Sequence, residues 1–353
     1  MSDPKTMIQQ QRREQLRNHK PLVYEKIVRL SDRIGRGEFL PLIAIAYDTV
    51  CNLKCKHCCI DNMRYDAPAL TVDDIRSLAT QADTLGIAQV NLAGGEPLMF
   101  RDFDAMIQAL GPDRFYIGLD TNGLLITEGV AQHLMEIGVD KVKISIDDIE
   151  EDVHNENRNA KVYQRAIAAV FTARRAGLHA IVNTVATSEN IRNGHMERLA
   201  QFGQENDIDI NVLVLVAMGK LDGQTDLQIT EDDTRAMWQI SQKYPVFHRD
   251  IFGAYGIDYG CKAGNINIYI TKYGEAYPCY GLPITFGNVK EDRLSEILRR
   301  MARVRWFREP QLQCLCAENK PFIAKYLTPT FGRIRPVWWE EVFTGEDLAD
   351  SRE

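Results

Sequence analysis

The chain has no run approaching ~18 uninterrupted apolar residues, so no membrane-spanning helix is predicted. It has no basic surplus either. Its 42 Lys and Arg stand against 49 Asp and Glu, and a formal charge of −7 supplies no field for nucleic acid. The cluster Arg12, Arg13, Arg17 and Lys20 reads as a solvated helix face rather than a binding patch. An apolar signal region is also missing: Met1-Ser-Asp-Pro-Lys5 is polar, and Gln9 to Lys20 is charged and helix-favouring. The most informative absence is that of cysteine between Cys59 and Cys261. Four fall before that gap, at Cys51, Cys55, Cys58 and Cys59, and four after it, at Cys261, Cys279, Cys314 and Cys316. Without an export signal, such clusters predict a cytoplasmic protein with two thiol sites rather than disulfides.

The 353 residues, 45% apolar and 26% charged, suffice for a large core. Leu42–Tyr47, Ala88–Ala93, Phe115–Thr121, Lys141–Ile146, Ala180–Ala186 and Ile208–Val216 predict strands. Several read as continuous apolar runs, as expected of parallel strands covered on both faces. Amphipathic stretches separate them. Thr71 with Asp74 forms a capping-box pattern, and Gly86 stops the run that follows. Six βα units predict an α/β fold, a partial (β/α)6 barrel of the TIM type, with its chemistry on the loops after the strands. Beyond Gly219 the pattern changes to a helix at Ile229–Gln242 and a segment rich in glycine and tyrosine. The expected division is an N-terminal helical extension (1–40), a core barrel (41–245), a small C-terminal domain (246–325) and a tail (326–353).

Asp48-Thr-Val-Cys-Asn-Leu-Lys-Cys-Lys-His-Cys-Cys59 directly follows the first strand. Cys51, Cys55 and Cys58 bring three thiolates into one tight loop, which suits an iron–sulfur cluster with one open iron. The competing reading is a closed zinc site completed by His57 or Cys59. The second strand ends in Gly94-Gly95-Glu96-Pro97. There the glycines would let a ligand approach the backbone, Glu96 could pair with a cation, and Pro97 opens the next helix. In the second cluster, Cys261, Cys279, Cys314 and Cys316 could together ligate one iron–sulfur cluster or one zinc.

With these two motifs one strand apart, the chain resembles the radical S-adenosylmethionine (SAM) superfamily. The resemblance implies that Cys51, Cys55 and Cys58 ligate a [4Fe-4S] cluster whose open iron is chelated by the methionine part of SAM. It implies that Gly94, Gly95, Glu96 and Pro97 receive the methionine amino group. Ser145-Ile-Asp147 resembles a further family segment, so that Ser145 could reach the carboxylate or ribose, with Asp147 beside it. Arg158 matches a downstream arginine near that carboxylate, a helix-entry salt bridge being the alternative. Asn183 is a ribose or adenine contact. The later cysteines resemble SPASM and twitch extensions, and four of them fit the shorter twitch type with one auxiliary [4Fe-4S] cluster. In the Cys314-x-Cys316 pair either both ligate or one is a free thiol, and Cys316 is then a candidate hydrogen-atom donor.

The resemblance implies an enzyme that reductively cleaves SAM and abstracts a hydrogen atom from substrate. The favoured reaction is oxidation of a sugar- or aminocyclitol-type small molecule. The alternatives are epimerisation through Cys316, maturation of a ribosomal peptide, and a non-catalytic iron–sulfur or zinc protein. The short segment before the first strand favours a small-molecule substrate or a separately encoded recognition protein. A flavodoxin- or ferredoxin-type electron donor is the expected partner. Arg335-Pro-Val-Trp-Trp339 is expected to pack over the barrel or to contact substrate, core packing being the commoner fate of tryptophans.

Overall fold

The computed structural model describes residues 13–36, 41–61, 63–249, 252–254, 257–309 and 311–349. Arg12 of the expected basic face and the ends of the expected extension and tail lie outside them. The six expected strands are present: β1 (Leu42–Asp48), β2 (Gln89–Gly94), β3 (Tyr116–Thr121), β4 (Lys141–Ser145), β5 (His179–Ala186) and β6 (Ile210–Val214). Later come β7 (Phe247–Arg249), the antiparallel hairpin β8 (Phe252–Ala254) and β9 (Ile257–Tyr259), β10 (Asn267–Ile270), β11 (Ala276–Tyr277), β12 (Ile284–Thr285) and β13 (Val337–Trp338). The main sheet has the order β11-β10-β1-β2-β3-β4-β5-β6-β7, parallel throughout except for β11. Residues beyond the expected boundary at 245 therefore extend the same sheet at both of its edges.

The helices between the strands form where the sequence supplies caps. Thr71 and Asp74 make the reciprocal capping box of the helix Val72–Leu85, and Gly86 ends it in the left-handed conformation. The helix buries Ile75, Leu78, Ala79 and Ala82 against the outside of the sheet. At the far end of the barrel, the start of the helix Pro21–Gly35 is tied down by cations. Lys20 Nζ donates to the Phe115 and Gly138 carbonyls and to Asp140 (3.3, 2.9 and 2.6 Å). Lys26 Nζ donates to the Ile87 and Arg114 carbonyls (3.2 and 2.8 Å). These carbonyls lie in the turns leading into β2, β3 and β4, where a cation complements the negative helix ends.

One expectation changes here. The strands are not apolar on both faces. Val90, Leu92, Val142 and Ile144 point outward and are buried under helices, whereas Gln89, Asn91, Lys141, Lys143 and Ser145 point inward to a cavity. The alternation is that of a half-buried strand, with a period of two. Only the outer face meets a helix layer, so only that face must be apolar.

The C-terminal region has its own aromatic core. Trp339 stacks on Phe286 at 5.5 Å, and Phe307 and Phe343 pack around them. Trp339 is thus core, as expected. β13 pairs in parallel with β12, so the start of the expected tail is woven into the small domain rather than trailing from it.

Candidate functional site

A single cavity of about 1360 Å³ opens at the C-terminal ends of the strands, and all eight cysteines face it. The first four come from the loop after β1. That loop is locked against the turn after β2, where Gly95 N donates to Asp48 O (2.9 Å) and Glu96 N to Val50 O (2.7 Å). A Cβ on Gly95 would lie 1.9 Å from Val50 O, and one on Gly94 (φ +122°) would lie 2.3 Å from Asp48 O. The close approach that these glycines allow is therefore made by the cysteine loop itself. A second clamp comes from the loop after β6. Lys220 N donates to Cys58 O (3.0 Å), and Lys220 Nζ donates to the carbonyls of Lys54 and Cys55 (3.0 and 2.8 Å).

Glu96 is fully buried, and it accepts hydrogen bonds from Thr121 Oγ1, Asn122 N and Leu98 N (2.8, 2.8 and 3.2 Å). Burial pushes its carboxyl above the usual range, and these three bonds oppose that rise. Its hydrogen-bonding partners are neutral donors. Pro97 is buried and opens the short turn Pro97–Met99. Gly94 and Gly95 face the cavity, but Glu96 and Pro97 do not line it.

Arg158 ends the helix Glu151–Arg158, and its guanidinium serves two roles. Nη2 donates to Asp147 Oδ1 at 2.6 Å, and Nη1 reaches Cys55 Sγ at 3.7 Å. It is both a buried ion pair and a cavity-lining cation beside a thiol. Asp147 is buried behind it and does not line the cavity. Burial pushes the Asp147 carboxyl up, but Arg158, His57 and His154 outweigh that and hold it below its usual range. His154 Nδ1 accepts from Asp147 N (3.1 Å), and burial lowers the His154 pKa to about 4, so the ring is neutral. His57 Nε2 lies 3.8 Å from Asp147 Oδ1, and burial lowers its pKa too. Ser145 and Asn183 are register partners on β4 and β5 and both face the cavity. Asn183 Oδ1 accepts from Asn211 Nδ2 at 2.6 Å.

The donor set fits an iron–sulfur cluster with one open position. Cys51, Cys55 and Cys58 face the cavity together, with Arg158 beside one thiol and Asn122 Nδ2 4.0 Å from another. Of the two candidates for a fourth ligand, His57 lies beside Asp147, and Cys59 packs against the hydrophobic core.

The second set comes from loops around β10 and β11 and from the segment before the helix Lys320–Phe322. Cys314 Sγ and Cys316 Sγ are 3.5 Å apart, Cys261 is hydrogen-bonded to Cys314, and Cys279 to Cys316. Both members of the Cys314-x-Cys316 pair therefore join the group. Cys314 and Cys316 are buried, and their backbone is pinned. Cys314 N donates to Glu318 Oε2 (2.8 Å), Gln228 Nε2 donates to Cys316 O (2.8 Å), and Glu318 pairs with buried Arg249 at the end of β7. Hydrogen bonds from Cys261 and Cys316 hold the Cys314 thiol down, while those two thiols are pushed up. Among the described residues, no group of three or more Cys, His, Asp or Glu side chains forms a ready-made single-ion site.

Several cavity residues have no assigned role in the motifs: Asp120 and Asn122, in a segment that reads from sequence equally as a turn or a substrate contact, with Lys143, Asn211, Lys220 and Arg249. For the first four, inward alternation along β3 to β6 was a usable signal. Arg249 and Lys220 had none, since only folding brings their segments to the cysteines.

Residues 48–202 match the radical SAM superfamily, and residues 261–319 match the SPASM iron–sulfur cluster-binding domain. The chain is 26% identical to a GTP 3',8-cyclase of Erythrobacter litoralis over 71% of this chain and 82% of that protein. It is 25% identical to the mycofactocin maturase MftC of Mycolicibacterium smegmatis, over 85% and 81% respectively. The structure of Streptococcus suis SuiB bound to its precursor peptide SuiA shares the fold (TM-score 0.58, 20% identity). The match covers 80% of this chain and 69% of that one. No helix among the described residues is long and apolar enough to cross a membrane.

Proposed function

Because the chain belongs to the radical SAM superfamily and carries a SPASM domain, we propose that it is an oxidoreductase that removes two electrons from its substrate. The family implies a [4Fe-4S] cluster, SAM and an auxiliary iron–sulfur centre. Cys51, Cys55 and Cys58 would hold the first, with one iron open to SAM, and Cys261, Cys279, Cys314 and Cys316 the second. When bound, these groups supply the radical that takes a hydrogen atom from substrate and an acceptor for the second electron.

The protein's own part is placement. Arg158 sets a cation beside the Cys55 thiol, Asp147 holds that cation in an ion pair, and Ser145 and Asn183 offer hydrogen bonds at the strand ends. Gly94 and Gly95 keep the cysteine loop seated, and Glu96 with Pro97 orders the turn behind it. The core barrel and the C-terminal domain, divided near residue 245, each contribute one cysteine set.

One observation carries the oxidative reading: both cysteine sets face the same cavity. An electron acceptor within that cavity adjoins any substrate held there. Epimerisation through Cys316 is less favoured, because its sulfur is engaged with Cys279 and Cys314. A peptide substrate draws support from the maturase relative and from the peptide-bound structural neighbour, whereas a sugar-type substrate has no comparable support. A flavodoxin- or ferredoxin-type protein would deliver the first electron.

Anaerobically reconstituted protein should hold about eight irons and release 5′-deoxyadenosine when given SAM and a reductant. Absence of 5′-deoxyadenosine would overturn the reading. Deuterium entering a carbon position of the product from heavy water would replace oxidation by epimerisation.

A further inference from the structure

The lower part of the cavity, whose deepest inward positions are Gln89 and Lys141, carries chemistry that neither cysteine site uses. Asn91, Asp120 and Lys143 point inward from β2, β3 and β4 and form one group. Asn91 Nδ2 donates to Asp120 Oδ2 at 2.7 Å, and the Lys143 ammonium lies 3.1 Å from Asp120 Oδ1. That contact is an ion pair without hydrogen-bond alignment: Asp120 Oδ1 and Asn91 Oδ1 are both buried with no hydrogen-bond partner among the described residues. Gly118 makes room for the group, since a Cβ there would lie 2.5 Å from Asn91 Oδ1. The Lys143 side chain is only 17% exposed. A lysine that far from water normally has its donors satisfied.

The wider lining points the same way. Nine Lys and Arg face the cavity against three Asp, and although Arg158 and Arg249 are paired with Asp147 and Glu318 behind the wall, the cations still outnumber the carboxylates. The thiolates of two clusters would balance part of that charge. Lys143, however, lies two residues before Ser145, and so about 7 Å below the strand end from which the cysteine loops rise. In a cavity walled by the barrel, like charges of this kind favour an anionic guest.

We propose that Asn91, Asp120 and Lys143 form the substrate-recognition group in the lower part of the cavity, and that the substrate presents an anionic group, carboxylate or phosphate, to Lys143. The inference rests on the radical SAM reading of the same cavity and names its substrate class. Asp120 fixes the lysine and Asn91 fixes Asp120. The Asn91 oxygen adds an acceptor for a donor next to the anion.

The test uses reconstituted, SAM-saturated protein at fixed ionic strength, titrated calorimetrically with N-acetyl-L-aspartate, inorganic phosphate and glucosamine. One or both anions should bind more tightly than glucosamine, and which one binds identifies carboxylate or phosphate. Lys143→Met should weaken that binding about tenfold or more, the expected loss for a charge-assisted hydrogen bond. Arg64→Met at the rim should change it by less than about threefold, as a screened charge would. Because Lys143→Met leaves Asp120 without its cation, the double variant Lys143→Met/Asp120→Asn is the folded control and should lose anion binding equally. Tighter binding of glucosamine, unchanged binding in Lys143→Met, or equal losses in Arg64→Met would each overturn the proposal. Iron content and 5′-deoxyadenosine release are read on the same samples. If both are normal while anion binding ignores Lys143, only the recognition assignment fails. If they are absent, it is the functional reading that fails.

Discussion

The two cysteine sites share one cavity but are built in opposite ways. The first sits on a loop whose backbone is clamped at Asp48, Val50, Cys55 and Cys58, while its side chains remain partly open, Cys51 being exposed. In the second, Cys314 and Cys316 are buried and the four sulfurs touch one another in sequence. Rigidity comes from backbone locks in one case and from a buried charged pair, Arg249–Glu318, in the other. The difference follows from the task each is assigned. A site that must admit a ligand cannot be closed by its own side chains, so neighbouring turns supply its order.

The sharpest way to break this contrast is to remove one thiol from each site. Cys58→Ala should abolish 5′-deoxyadenosine release and leave about four of eight irons. Cys314→Ala should also lose about four, yet retain 5′-deoxyadenosine release without product. Equal loss of SAM cleavage in both variants would mean that the sites do not work separately.

Next in size is the Arg249–Glu318 pair. Arg249→Met leaves the Glu318 carboxylate buried without its cation, which should destabilise the protein by about 3–5 kcal/mol in denaturant unfolding. Adding Glu318→Gln should restore much of that, and the iron of the first site should survive both changes.

Gly95→Ala should act on the other site. Its Cβ would meet Val50 O at 1.9 Å, a backbone atom that cannot rotate away. A loss of about 3 kcal/mol is expected, with iron lost from the first site and retained in the second.

The smallest effect is a pH dependence confined to the first site. The folded chain keeps His154 neutral down to about pH 4, whereas unfolded histidine takes up a proton near its ordinary 6.5. The stability this gives is fully present above pH 6.5 and is lost as pH falls toward 4, by about 3 kcal/mol at the acid end and far less near neutrality. His154→Gln should flatten the fall in melting temperature over that interval. An unchanged slope would place the acid sensitivity elsewhere.

Much of this was legible before folding. The strands β1 to β6, the capping box at Thr71 and the spacing of both cysteine sets rest on local patterns, and all reappear in the structure. The polar lumen was readable as well, in the Lys141, Lys143, Ser145 alternation of β4, although the strands as a whole read as apolar runs. Glu96 illustrates what was not legible. Its burial, and its bonds to Thr121 and Asn122, depend on a neighbouring strand that sequence distance conceals.

The sequence alone determined that two thiol sites exist, and that a barrel of βα units would present the first on a loop, because helix, strand and loop periodicities are local properties. Only the tertiary structure decided that both cysteine sets open into one cavity, and that the sulfurs of Cys314 and Cys316 lie among those of Cys261 and Cys279. Each of these depends on the pairing of β10 with β1 and of β7 with β6, contacts between segments far apart in sequence. Their partners are selected by packing and register, which no single segment carries.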